Sequence, residues 1–178
     1  MIYHATNLIA QTFEEMEVEF QLEEIGPFSS IISTFETLTG HSVKVHYISC
    51  DDNNGVSVRV FGLFSPIPFS QRLAILNICN SIHNNYPFFK FYLDSHSNLN
   101  INADLPFSID DASVGPCCFE YFMLLKACVN KYCSDFVSVL NSSTIREKKN
   151  ANDLMAVLNE LRKHPIIINS QDNELEVQ

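Results

Sequence analysis

Alternation of apolar and polar residues is clearest between positions 15 and 23. Met16, Val18, Phe20 and Leu22 alternate there with Glu15, Glu17, Glu19, Gln21 and Glu23. A repeat of two puts successive side chains on opposite faces, so this stretch predicts a strand with one buried face and one acidic face, ended by Gly26-Pro27. Before it, His4 to Phe13 reads as a short helix with Leu8 and Ile9 on one face and Thr6 as a cap. Ser29–Leu38 is ambiguous. Ile31, Phe35 and Leu38 fall at helical spacing and Gly40 sits where a helix would stop, which tips the reading to a helix although the β-branched content suits a strand.

Two hairpins follow, each leading into a helix. Val43, Val45 and Tyr47 alternate with Lys44 and His46, and Val56, Val58 and Val60 with Ser57 and Arg59; Asp51–Gly55 between them carries the Asn-Gly signal of a tight turn. Pro66 and Pro68 interrupt the chain. Phe69–Asn84 then reads as a helix, with Ser70 as cap and Ile75, Ile78, Cys79 and Ile82 on one stripe. Phe89, Phe91 and Leu93 form one strand, Asp94–Asn98 turns the chain, and Leu99, Ile101, Ala103 and Leu105 form the next. From Gly115 to Leu140, Cys118, Phe122, Leu125, Val129, Cys133, Phe136 and Leu140 repeat at steps of three and four, so a long helix is predicted. Asn141–Asn150 is polar and reads as a linker; Asp153–Lys163 is a last amphipathic helix, and the acidic tail beyond it is expected to be mobile.

Hairpins alternating with helices predict an α+β fold, an antiparallel β-sheet built from hairpins with helices packed on one face. The predicted organisation is a single domain over residues 1–140, with 141–178 supplying linker, helix and tail. At 178 residues, with 46% hydrophobic and 18% charged residues, the chain can bury a core without a metal or disulfide staple.

The run from Arg72 to Leu105 resembles the YbjN family of small bacterial proteins. The resembling residues are Leu76-Asn77, Asn80, Phe89-Lys90-Phe91-Tyr92-Leu93-Asp94, Leu99-Asn100-Ile101 and Ala103-Asp104-Leu105, completed by the long helix that follows. The resemblance spans roughly residues 42–140. It implies an antiparallel sheet with packed helices, similar to type III secretion chaperones, and a sensory or regulatory role without catalytic residues. Through the same fold-level analogy it implies a homodimer.

Charge narrows the partners. The formal net charge is −10, and residues 1–43 hold seven glutamates and no Lys or Arg. Without a cationic stripe, neither nucleic acid nor an anionic membrane is an expected partner. The longest stretch free of charged side chains, Leu73–Phe89, contains Pro87, four Asn and His83, so a membrane span is not expected. The start lacks the basic and apolar regions of a secretory signal, and with six cysteines a reducing cytoplasm is the expected location.

Candidate chemistry is sparse. Glycines 26, 40, 55, 62 and 115 include no pair closer than seven residues, which excludes G-x-G-x-x-G, the P-loop and the nucleophile elbow. Aligning Gly55 with the sixth position of a calcium loop puts Cys50 first and Phe61 twelfth, and neither side chain offers a hard oxygen. Cys117 and Cys118 are adjacent and Cys128 and Cys133 five apart, which makes core packing the expectation and metal ligation not. His41 and His46 are expected on opposite faces of one strand if both belong to it, and His83 and His96 at a helix end and in a turn. No catalytic residue, metal or cofactor is therefore expected. The acidic face reads either as a solvated edge that prevents strand-to-strand aggregation or as a docking surface for a cationic protein partner, with Glu15, Glu17, Glu19 and Glu23 as the candidate partner-binding residues. The expected function is a non-enzymatic, chaperone-like or regulatory interaction module. Its alternative is a small-molecule-binding domain or enzyme with a site between sheet and long helix.

Overall fold

A computed structural model of the chain describes residues 1–50, 55–106 and 112–163; within 143–163 it describes the backbone and the Met155 side chain. The elements are α1 (His4–Glu15), β1 (Phe20–Ile25), β2 (Phe28–Glu36), β3 (Ser42–Ser49), β4 (Val56–Phe64), α2 (Arg72–Asn85), β5 (Lys90–Leu93), β6 (Leu99–Leu105) and α3 (Val114–Lys163). The fold is α+β. Its strands form one antiparallel sheet in the order β1-β2-β3-β4-β6-β5, with both expected hairpins in place. The chain divides into two compact units, Met1–Leu140 and Asn141–Gln178.

One face of the sheet carries the core. Ile31, Tyr47, Val58 and Ala103 stand opposite one another across β2, β3, β4 and β6, and all are buried. Helices reach this face through aromatic side chains: Phe13 of α1 meets Tyr47 edge-on, Phe122 of α3 meets Phe35, and Phe136 of α3 stacks on Phe91. Ile75, Cys79 and Ile82 bring α2 into the same cluster. The other face carries Lys44, His46, Ser57, Arg59 and Asp104. There Arg59 Nη2 donates to Asp104 Oδ1 at 2.6 Å, and Nη1 donates to the Ala103 carbonyl at 3.0 Å, clamping β4 to β6.

Several expected elements differ in extent or kind. The alternating segment 15–23 is not one strand: α1 runs to Glu15, Glu17 takes a φ of 56°, and β1 begins at Phe20. The Val18 N–H reaches back to the Phe13 carbonyl at 2.8 Å, so the chain reverses where the period of two had suggested continuity. Burial of Ile9 and Phe13 anchors the helix, which takes the first residue of the pattern, Glu15. Ser29–Leu38, leaning to helix in the sequence, lies mostly in strand β2. Both neighbouring strands pair with it, and Leu38 N–H donates to Asn130 Oδ1 at 2.9 Å in the turn that follows. Gly40, with a φ of 75°, serves that turn rather than a helix end. Thr6 does not cap α1 but is buried 2.7 Å from the Ser29 hydroxyl. Ser70 lies in a 3-10 turn, Phe69–Gln71, ahead of α2 and makes no capping bond. Residues 141–150, read as a linker, are helical, and the separate last helix is the continuation of α3. The turn at Asp51–Asn54 and the tail beyond Lys163 lie outside the described residues.

Gly115 has a packing reason. A Cβ there would lie 2.1 Å from Thr12 Oγ1 and 2.5 Å from the Leu8 carbonyl oxygen, so α1 and the start of α3 touch where only hydrogen fits. Gly115→Ala is therefore expected to lower stability in urea denaturation, although alanine in an open helix would raise it by about 1 kcal/mol. Phe13→Ala is expected to cost about 3–5 kcal/mol by the same measurement.

The β5–β6 turn is held by one carboxylate. Asp94 accepts from the backbone of Asn98 and His96 and from the amides of Asn98 and Asn100. These bonds, the Asn98 N–H first, lower its pKa to about 2. A depressed carboxylate stabilises the fold fully above its unfolded pKa near 4 and loses that contribution as pH falls to about 2. Melting temperature against pH should accordingly fall more steeply between those values in wild type than in Asp94→Asn.

Candidate functional site

The acidic candidates occupy three different settings. Glu15 ends α1, Glu17 sits in the left-handed turn, Glu19 lies in the link to β1, and Glu23 is inside β1. They do not share a strand face, because the helix consumes the first and the turn reorients the second. All four are exposed, as are Glu14 and Glu24, so the segment from the end of α1 through β1 is an acidic surface. The Met1 ammonium pairs with Glu24.

β1 is the outer strand of the sheet. The register assigns Leu22 and Glu24 to the helix-bearing face, opposite Ile31 and Ser29, and Glu23 and Ile25 to the other face. α1 lies over β2 and β3, so β1 projects past the helix layer and five of its six residues are exposed.

A second unusual surface lies on α2 and the turn before it. Phe69, Leu73 and Leu76, at steps of four and three, are exposed on the side away from Ile75, Cys79 and Ile82. Sequence periodicity had identified the buried stripe. The outer one is not distinguished by periodicity, because a helix with two apolar stripes gives a weak contrast between faces.

Between α2 and α3 runs a shallow groove of about 440 Å³, lined by Asn77, Ile78, Ser81, Tyr132, Asp135, Ser138 and Val139. Asp135 is its one carboxylate. The space between the sheet and α3, where an enzymatic site was the alternative expectation, is instead filled by Phe13, Phe35, Phe122, Leu125 and Phe136.

His41, His46 and His83 serve the scaffold. His41 precedes β3 rather than sharing it with His46, and its Nε2 lies 2.8 Å from the Leu63 carbonyl. His83 Nε2 accepts the Phe91 N–H at 2.9 Å, tying α2 to β5. His46, on the face away from the core, meets Phe61 edge-on; burial lowers its pKa below the usual value, against the raising effect of Glu23. His96 sits in the Asp94 turn.

Among the described residues, no group of three His, Cys, Asp or Glu side chains could hold a metal ion, and no helix is long and apolar enough to cross a membrane. All six cysteines are free. Cys118, Cys128 and Cys133 are core residues of α3, as their position on the apolar stripe implied for the first and last. Burial raises the thiol of Cys79 to about 11 and that of Cys128 to about 12, and raises Cys118 further in the same direction. A thiolate is the reactive form, so burial disfavours reaction at these groups.

Thiol titration with a disulfide reagent at neutral pH should find exposed Cys50 reacting at once and half-buried Cys117 more slowly. Cys79, Cys118, Cys128 and Cys133 should react only after denaturant is added.

Comparison with known proteins found no matching family model, no matching curated protein and no matching solved structure.

Proposed function

We propose that this chain is a non-catalytic, chaperone-like or regulatory protein-interaction module of the cytoplasm, YbjN-like in fold, that self-associates as a homodimer through the outer face of α2. The observation that carries the reading is the exposed stripe of Phe69 and Leu73, at 84% and 73% of full exposure, continued by Leu76. Burying one such side chain at an interface contributes roughly 1.5–3 kcal/mol, and the stripe doubles in a two-fold contact.

Charge supports the choice of a second copy. Two chains of net charge −10 repel, and they meet at least cost where neither presents carboxylates. Residues 69–85 contain no Asp or Glu, with Arg72 as their one Lys or Arg. The ligand-binding alternative draws on the α2–α3 groove. Its volume suits a small molecule, but it is open and brings together no set of titratable groups.

Sedimentation velocity across a concentration series tests the reading. Wild type is expected to shift from monomer to dimer, and Phe69→Ser/Leu73→Ser to stay monomeric with an almost unchanged melting temperature, since both side chains are on the surface. A wild type that stays monomeric, or a variant that dimerises equally well, would overturn it.

A further inference from the structure

The free edge of β1 combines three properties that together select one kind of partner. Its backbone is paired on one side only: β1 pairs with β2, and no other described segment hydrogen-bonds the backbone of residues 20–25. An edge of this kind presents alternate N–H and C=O groups to whatever strand arrives. It is also open on both faces, with Leu22 at 39% and Ile25 at 59% of full exposure. Finally, each face offers one apolar and one acidic side chain, Leu22 with Glu24, which also pairs with the exposed Met1 ammonium, and Ile25 with Glu23.

We infer that β1 accepts an extended basic segment of another protein as a seventh strand, recognising an apolar–cation–cation–apolar sequence. In a paired strand the four side chains opposite Leu22-Glu23-Glu24-Ile25 follow the same alternation. The two cations therefore meet Glu23 and Glu24 on opposite faces, and the two apolar groups cover Leu22 and Ile25. Backbone bonds would supply affinity and the carboxylates discrimination. Glu19 and Glu17, just upstream and also exposed, extend the attraction along the incoming chain.

The same charges disfavour competing occupants. A second copy joining β1 to β1 would gather at least four carboxylates along a six-residue edge, and like charges on paired strands repel. Nucleic acid and anionic lipid are repelled for the same reason. The glutamates thus act as gatekeepers against self-pairing while leaving the edge open to a cationic strand. This inference rests on the interaction-module reading, but it concerns a surface separate in sequence and charge from the α2 stripe.

The probe is a fluorescein-labelled peptide with a Val-Lys-Lys-Val core flanked by threonines, titrated at low salt and read by anisotropy. Wild type should bind it, and a Val-Glu-Glu-Val peptide should not bind. Glu23→Lys/Glu24→Lys, which changes exposed side chains only, should weaken binding roughly tenfold or more, as should raising the salt. A peptide N-methylated at its four core residues keeps the charge but cannot pair, and it should lose binding to the unaltered protein. Phe69→Ser/Leu73→Ser should bind as wild type does. Equal binding of the methylated and unmethylated peptides, an unaffected charge-reversal variant, or no binding to wild type would each overturn the inference. Binding lost in the α2 variant and kept in the charge-reversal variant would also overturn it. The sedimentation result for the α2 stripe stands or falls independently of all four.

Discussion

Phe13 is the contact on which the first half of the architecture depends. Its ring meets Phe20 at the start of β1, Tyr47 of β3, and Phe119 and Phe122 of α3, with three of the four contacts edge-to-face. Such contacts add about 0.5–1.5 kcal/mol each beyond burial and fix the direction of approach. They hold α1 down on β2 and β3, and the hydrogen of Gly115 lets α3 begin directly against it. With α1 pinned there, the chain must reverse at Met16–Glu17 to enter the sheet, and β1 is left outside the helix cover.

That placement explains why the acidic segment is surface on all sides. An alternating pattern buries its apolar half only when something packs on that face. Phe20 meets Phe13 and is partly buried, whereas Leu22, two residues on and on the same face, extends past the helix layer. The strand is therefore solvated on both faces, and its charge density determines what can pair with it. At the opposite end of the sheet, β5 has only four residues and is tied to α2 through the His83–Phe91 bond. The two edges differ in kind. One is short and anchored, the other longer, open and acidic.

The proposed function accordingly draws on surfaces. The described thiols of the core are protected by burial, His41 and His83 bond backbone groups while His46 packs on Phe61, and the groove beside Asp135 is open. An exposed apolar stripe on α2 and an acidic edge on β1 differ in chemistry, and the two proposals rest on that difference.

The sequence by itself determined the elements whose local pattern and tertiary environment agree. Val43–Tyr47 and Val56–Val60, Phe89–Leu93 and Leu99–Leu105 alternate on strands that are covered on one face, so their period of two is the period of burial. The stripe from Cys118 to Phe136 is helical because one side of α3 lies on the sheet. Tertiary structure decided the rest. Ser29–Phe35 carries apolar residues at positions that suit a helix, and pairing with strands on both sides made it a strand, because satisfying its backbone against two neighbours outweighs local propensity. Positions 15–23 alternate without interruption, yet Phe13 keeps their first residue helical and turns the next ones away. The acidic residues were readable as a cluster of charge, but their division among helix end, turn and strand edge was not, because it depends on where a side chain two residues upstream is buried.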